Sequence, residues 1–366
     1  VYVRNLLRQF AALDLNSEFI AYVSELGAET HVDERFLTRH VSSNPLKRLG
    51  IDLPRCLRAD LPDLIHVQYT APLRCPVPIV VSVHDVSFLE RPEYFPPVRA
   101  FQLQTTVRRT VRLADRVLTP SEFSAKAIRA VYSLPEEKVT VIPNGTSSNF
   151  RPIAPAIAQA RVKERFGFGF PYILMVGDLQ PRKNQVGLIR AFEELVRHEP
   201  KLPHHLVLTG QNSWYASRVQ EAARQSSVAS RIHFTGFVSD EELLNLYNAC
   251  QLFVFPSFYE GFGLPVLEAM ACGRAVACSN TTAVVEVADG AAITFDPKST
   301  GEMMRAMRDV LVDGELRARM ERLGIKRASG FHWRDAAAAT LKVYEEVAMT
   351  RALETVASRR AVAARP

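Results

Sequence analysis

Leu252-Phe253-Val254-Phe255-Pro256-Ser257 leads, two residues later, into Glu260-Gly261-Phe262-Gly263-Leu264-Pro265-Val266-Leu267-Glu268. The first run is apolar, aromatic and β-branched, the composition of a buried strand. In the second, Pro265 suits the first helical position, where a missing N–H costs nothing, and Gly273 suits the stop after Glu268-Ala269-Met270-Ala271-Cys272. The order is strand, glycine turn, helix. At such a turn the first helical N–H groups are unpaired and stand at the positive end of the helix dipole, which favours a diphosphate. This spacing puts Glu268 in the first helical turn, where a carboxylate is electrostatically comfortable and can accept hydrogen bonds from ribose hydroxyls. Taken singly, Glu268 reads as a dipole partner and Glu260 as a solvated loop acid. With Gly261, Gly263 and Pro265 at this spacing, the two read as a phosphate and sugar cradle.

On either side of this segment short β-rich runs alternate with helical stretches, the pattern of parallel α/β layers. One series comprises Phe19 to Val23, Leu64 to Tyr69, Pro78 to Val83, Arg116 to Thr119 and Val139 to Ile142. A second comprises Tyr172 to Val176, His205 to Thr209, Ile232 to Phe237, Leu252 to Phe255, Ala275 to Cys278 and Ala292 to Phe295. Two similar sheets are implied, with domains at 1–150 and 151–332. Pro143-Asn144-Gly145 is a turn between them, and the stretch from Arg151-Pro152 to Pro171 is a connector with one short helix. Residues 333–366 form a third segment, a helix followed by a basic tail.

The length of 366 residues suits two cores of ordinary size. Hydrophobic residues make up 47% and charged residues 23%, which excludes a mostly disordered protein. No run approaches the roughly 18–20 apolar residues needed to cross a bilayer. Cys56, Cys75, Cys250, Cys272 and Cys278 lack metal-ligand spacing, and their odd number argues against a disulfide framework, so the expected compartment is a reducing cytoplasm. The chain opens on a helical pattern, with apolar Val3, Leu6, Leu7 and Phe10, where an α/β domain ordinarily opens on a strand. The expectation is a fragment lacking its first strand and the glycine loop after it. A net charge of +6 suggests anionic partners. Nucleotide sugars and anionic lipid surfaces rank ahead of nucleic acid, for which no binding signature is present.

In open α/β sheets ligands bind beyond the carboxyl ends of strands, so the residues after each run matter most. Gly177-Asp178-Leu179-Gln180-Pro181-Arg182-Lys183-Asn184 follows Val176, and Arg182 with Lys183 near a helix start can neutralise charge developing on a departing diphosphate. A solvated basic pair is the plainer reading. Thr209-Gly210-Gln211 and Gly236-Phe237-Val238-Ser239 would line a nucleoside pocket, although Ser239 with Glu242 also forms a helix capping box. Thr119 and Glu122 form another, leaving Ser121 and Ser124 as structural residues or weak ligand contacts. His84 ends a first-domain strand, while the other eight histidines read as neutral bystanders. Arg99, Arg108, Arg109, Arg112 and Arg116 lie on and after one helix, a solvated face by default and an anionic-membrane contact on the sharper reading. No Asp-x-Asp metal motif and no Gly-x-Gly-x-x-Gly dinucleotide fingerprint is present.

Glu260 and Glu268, separated by seven residues, resemble the paired-glutamate signature of the retaining glycosyltransferases of family 4. The resemblance covers nearly the whole chain and is strongest from Gly177 to Pro297. It implies an α/β fold of the GT-B kind, two Rossmann-like domains with parallel sheets facing across a cleft, the final helix crossing back to the first domain. It further implies donor pyrophosphate at Arg182, Lys183 and the amides of Gly261, Phe262, Gly263 and Leu264, ribose at Glu268 and sugar hydroxyls at Glu260. Gly210, Phe237 and Val238 would meet the nucleoside, His84 the transferred sugar, and Asn144-Gly145 matches a Pro-Asn-Gly turn at the cleft. Asp178 stands where many members have arginine, which puts the cationic role on Arg182 and, above all, Lys183. The His-Asp-Val-Ser-Phe and Pro-Arg-Lys-Asn segments look most like bacterial mannosyltransferases of surface polysaccharide assembly. The resemblance thus implies transfer of a hexose from GDP-mannose, or from a UDP-sugar as runner-up, to a glycan or polyprenyl-linked acceptor, with no cofactor or metal. The location implied is cytoplasmic or peripheral on the inner face of the plasma membrane. A non-catalytic nucleotide-sugar-binding subunit and a two-Rossmann sugar-nucleotide epimerase are the competing classes.

Overall fold

The structure, a computed structural model, describes residues 2–25 and 27–363, and the side chains of all of these except His31 and residues 354–363. It divides into two compact units, one formed by the residues up to Gly145 together with those from Trp333, the other by Thr146–His332. The boundary falls at Gly145 because the next residues pack with the second unit. Thr146 N–H donates to the Phe331 carbonyl at 3.0 Å, and Phe150 meets Tyr247 edge-on at 5.7 Å.

In the first unit β1 (Ile20–Val23) and β2 (Leu37–His40) form a separate two-stranded parallel sheet. Leu37-Thr38-Arg39-His40 carries no strand signal of its own, with one apolar residue that is itself exposed; pairing with β1 makes it a strand. The main sheet, in the order β3 (Ile65–Gln68), β4 (Ile79–Ser82), β5 (Arg116–Thr119) and β6 (Val139–Val141), is parallel and has four strands, so Phe19–Val23 is not part of that series. Ile79, Val81, Val117 and Val139 face a core closed by Leu57, Val107, Val111 and Ile128. Elsewhere in this unit the helix Tyr2–Leu13, burying Leu6, Phe10 and Ala11, packs against the last helix, Trp333–Ala363. Their rings meet edge-on, Tyr2 with Trp333 at 6.0 Å and Phe10 with Tyr344 at 5.8 Å.

The second unit carries β7 (Tyr172–Val176), β8 (His205–Thr209), β9 (Ile232–Gly236), β10 (Leu252–Phe255), β11 (Val276–Ser279) and β12 (Ile293–Phe295) in the order β12-β11-β10-β7-β8-β9, every pair parallel. A parallel sheet flanked by helices is buried on both faces, which is why its strands read as nearly continuous apolar runs. Tyr172, Leu174, Val207, Phe253 and Phe255 face one core; Ile173, Met175, Leu206, Leu208, Leu252 and Val254 face the other. Each such large side chain contributes about 1.5–3 kcal/mol on burial. The stretch expected as a connector holds a 12-residue helix, Pro155–Phe166, which buries Ala158 and Val162 and ends at Gly167, φ +77°. From β7 the chain winds one way to β8 and β9, then restarts at β10 on the other side, so the strand order reverses between β7 and β10. Ligands bind beyond the carboxyl ends of strands at such a reversal.

All five cysteines are free thiols. Among the described residues no helix is long and apolar enough to cross a membrane.

Candidate active site

Both loops at the reversal carry charge. After β7 the chain turns at Gly177, passes Asp178 and forms a single 3-10 turn, Pro181–Lys183, before the helix Gln185–His198. Asn184 makes the join in a left-handed conformation, φ +57°, and its Nδ2 donates to the carbonyls of Pro256 at 3.2 Å and Pro297 at 2.7 Å. That one side chain fastens the turn to the ends of β10 and β12. The loops after β7, β8 and β9 are also zipped together, Gly177 N–H donating to Thr209 O at 2.8 Å and Gly210 N–H to Gly236 O at 3.0 Å. Gly210 is required by space. A Cβ there would stand 2.3 Å from the Gly177 carbonyl oxygen, and backbone atoms cannot move aside as a flexible side chain can.

The turn delivers Arg182 and Lys183 to Glu260. Lys183 Nζ lies 2.6 Å from Glu260 Oε1 and 4.9 Å from the centre of the Phe255 ring, while Arg182 Nη1 lies 2.8 Å from Oε2. Glu260 is 7% exposed and Lys183 7% exposed, so this is a buried ion triad rather than a solvated basic pair. Burial pushes the Glu260 carboxyl up, but the adjoining Arg182 and Lys183 charges more than reverse it and hold it at about 2. For Lys183 burial pulls the ammonium below its ordinary range, Arg182 adding to that effect and Glu260 opposing it. Two cations and one anion leave a net charge of +1 facing the reversal. In this state both Glu260 oxygens are engaged by cations, so the cationic and sugar-binding groups foreseen as separate elements form one cluster.

The glycine turn follows. Gly263, φ +119°, precedes the helix Leu264–Ala271, so Pro265 is the second helical residue. The N–H groups of Gly263 and Leu264 come before the first intrahelical bond, from Val266 N–H to Gly263 O at 3.0 Å, and stand at the helix's positive end. Phe262 offers only its backbone, because its ring is buried and meets Phe331 edge-on at 5.9 Å. Glu268 departs from expectation. It is the fifth helical residue and lies beyond the first turn, 9% exposed, with Oε2 accepting from the Tyr247 hydroxyl at 2.9 Å. The helix dipole falls off within the first turn. Burial dominates and raises the carboxyl to about 7.

Thr282 holds φ +60°, ψ −156°, which costs a β-branched residue about 1–3 kcal/mol. Its Oγ1 accepts from Glu260 N–H at 3.2 Å, so the strained residue supports the loop that carries the anion of the triad. After β9 Gly236, φ +72°, turns the chain into Phe237, which is 72% exposed, and half-buried Val238. The Ser239–Glu242 capping box is present, which gives those two residues a structural role. Asp178 is exposed, its Oδ1 accepting from Gln211 N–H at 3.1 Å.

Two family models match the chain: "Glycosyltransferase Family 4" over residues 1–150 and "Glycosyl transferases group 1" over residues 157–327. O-antigen chain mannosyltransferase B of Escherichia coli is 32% identical over 267 residues, which is 73% of this chain and 70% of that protein. This chain belongs to the family 4, group 1 glycosyltransferases. Sucrose-phosphate synthase of Thermosynechococcus elongatus shares the GT-B fold with TM-score 0.76 at 20% identity, covering 94% of this chain and 92% of that one. Anabaena HepE, solved with UDP and glucose, does so with TM-score 0.74 at 20% identity, covering 93% and 95%.

In the first unit of the glycosyltransferase, His84 follows β4 and is half-buried, its ring edge-on to Tyr2 at 4.7 Å and Tyr69 at 5.7 Å. Its Nε2 pairs with the Gln68 amide at 3.2 Å, and burial lowers its pKa, so the imidazole is neutral at pH 7. Below it runs a polar chain that sequence reading missed. His66 Nε2 pairs with Ser82 Oγ at 2.7 Å, Ser82 Oγ with Tyr2 Oη at 2.9 Å, and His66 Nδ1 with Tyr344 Oη of the last helix. Burial holds His66 neutral, at about 4. The expected Thr119–Glu122 box gives way to Ser121, whose Oγ accepts from Ser124 N–H at 3.1 Å, while Ser124 Oγ donates to the His84 carbonyl at 2.9 Å. Of the arginine stripe, Arg99, Arg108 and Arg112 are exposed beside exposed Val98 and Phe101; Arg109 and Arg116 are engaged with backbone carbonyls.

Proposed function

We propose that this glycosyltransferase transfers a hexose, mannose, from GDP-mannose to a glycan or polyprenyl-linked acceptor in polysaccharide assembly, with retention at the anomeric carbon. The Arg182–Lys183–Glu260 triad beside a helix N-terminus carries the reading. As the sugar leaves, charge builds on the diphosphate, and preorganised cations and amides in a water-poor site are worth most there. Lys183 and Arg182 serve that charge with the Gly263 and Leu264 amides, Glu260 holds sugar hydroxyls and orients both cations, and Glu268 accepts from the ribose. Gly210, Phe237 and Val238 line the nucleoside side. Neutral His84 acts as a hydrogen-bond partner for the sugar. The mannosyl choice is supported by the O-antigen mannosyltransferase relative.

A donor panel of GDP-mannose, UDP-glucose and UDP-galactose, each with and without a polyprenyl-diphosphate-linked glycan, tests this. Acceptor-dependent GDP release with an α-linked product is expected, and Lys183→Ala should slow transfer by about 10²–10³. Turnover with UDP-sugars alone would reassign the donor, acceptor-independent interconversion would make the protein an epimerase, and binding without turnover a sensor. The exposed Arg99, Arg108 and Arg112 beside Val98 and Phe101 support a further element of the proposal, peripheral contact with an anionic membrane. Flotation with phosphatidylglycerol vesicles but not with phosphatidylcholine vesicles is the expected result; absence from both removes that element.

A further inference from the structure

The Tyr247–Glu268 pair is a feature that neither the fold nor the ion triad requires. Tyr247 belongs to the helix Asp240–Ala249, which starts directly after the Gly236–Val238 loop and is locked at its N-terminus by the Ser239–Glu242 box. Its ring is fully buried, edge-on to Phe150 at 5.7 Å and to Phe253 at 5.4 Å, which leaves the phenol no freedom to swing. The hydroxyl reaches across to the helix Leu264–Ala271 and donates to Oε2 of Glu268 at 2.9 Å. Glu268 makes no ion pair among the described residues, and its Oε1 has no hydrogen-bond partner there, yet that atom is not sealed from solvent. A carboxylate with one oxygen pinned and the other open presents one acceptor in a defined direction.

We propose that Tyr247 is a positioning residue for the donor nucleotide, its buried phenol holding Oε2 of Glu268 so that Oε1 is aimed at a ribose hydroxyl and discriminates ribonucleotides from deoxyribonucleotides. The inference rests on the ribose role given to Glu268 above. A site built to hydrogen-bond a hydroxyl rejects the analogue that lacks it, because a buried polar group is then left unpaired. Rotation of an untethered Glu268 would spread that acceptor over several directions and dilute the discrimination. The hydrogen bond also favours the ionised carboxylate. Other titratable groups act on the pair: Asp240 at the start of Tyr247's helix, Cys250 just past its end, and Cys272 following Glu268's helix. Asp240 raises the carboxyl's pKa, while burial keeps both thiols protonated at neutral pH.

The test is calorimetric binding of GDP, 2′-deoxy-GDP, UDP and 2′-deoxy-UDP to the full chain and to Tyr247→Phe and Glu268→Gln, across pH 6–9. The wild type should prefer the ribonucleotide of its preferred base by about tenfold or more, as expected for a hydrogen bond to a charged group. Tyr247→Phe should shrink that preference below about threefold with deoxynucleotide affinity unchanged, and shift the pH midpoint of the preference upward. Glu268→Gln should also weaken the preference. An intact preference in Tyr247→Phe alongside a weakened one in Glu268→Gln overturns the positioning role and spares the ribose assignment. An intact preference in Glu268→Gln sinks both. Loss of deoxynucleotide affinity together with ribonucleotide affinity in Tyr247→Phe makes Tyr247 a core residue and overturns the proposal.

Discussion

Glu260→Ala is expected to lower transfer by at least about 10²–10³ and to destabilise the second unit by about 3–5 kcal/mol. The size of the second effect follows from what remains. Lys183 is 7% exposed and its nearest anion is Glu260 at 2.6 Å, so removing the carboxylate strands an ammonium in the interior rather than at the surface. Breaking a buried pair from one side costs far more than losing a surface ion pair, which is worth about 0–1 kcal/mol. Urea unfolding and donor-dependent nucleotide release on the same preparation separate the effects. Glu260→Gln keeps the shape of the side chain and should recover packing while leaving transfer slow. Transfer within twofold of wild type in both variants would remove Glu260 from the site. The pH dependence has a defined sign. Glu260 is held at about 2 in the folded protein against an ordinary 4.5, so its contribution is complete above pH 4.5 and is lost as pH falls towards 2.

Glu268 should behave in the opposite sense. Its carboxyl is raised from 4.5 to about 7, so the folded state binds its proton more tightly than the unfolded chain does. Stability from this group is fully present below pH 4.5 and declines as pH rises to about 7, a loss of about 3 kcal/mol at one pKa unit per 1.36 kcal/mol. Glu268→Gln carries a neutral side chain at every pH. It should match the wild type near pH 4 and be the more stable by about 3 kcal/mol at pH 8 in the absence of nucleotide. Parallel stability curves for the two proteins from pH 5 to 8 would show that Glu268 titrates as an ordinary carboxyl. The same residue is then expected to lose ribonucleotide preference while gaining stability, the usual sign of a group retained for binding rather than for folding.

Strands buried on both faces announce themselves. Tyr172–Val176, His205–Thr209 and Leu252–Phe255 were readable because each alternates between two cores and so carries few polar residues. Gly210 and Gly263 were readable as turn residues, since at Gly210 a neighbouring carbonyl leaves no room for a Cβ and at Gly263 φ is positive. Leu37–His40 was not, because an edge pairing with β1 supplies its order and its side chains supply none. Glu268 lies one position further along its helix than a start at Pro265 would place it, and its burial is a property that a linear pattern does not express. Asn184 was legible only as an asparagine directly before a helical pattern, a residue that tolerates the left-handed backbone found there better than most.

The chain's own order of residues thus determined the α/β class with its two larger parallel sheets, the strand–turn–helix cradle and the family, because hydrophobic period, glycine and proline position and paired glutamates are local properties. Burial and partnership are not local. Arg182 and Lys183 read equally well as a solvated pair until the β7 and β10 loops fold together and bring in Glu260, 77 residues from Lys183. Tyr247 and Glu268, 21 residues apart, become a donor and an acceptor only when their helices pack. The sign of each pKa shift, and with it the opposed pH behaviour of the two glutamates, was decided by tertiary structure, since it depends on whether burial meets two cations or a single phenol.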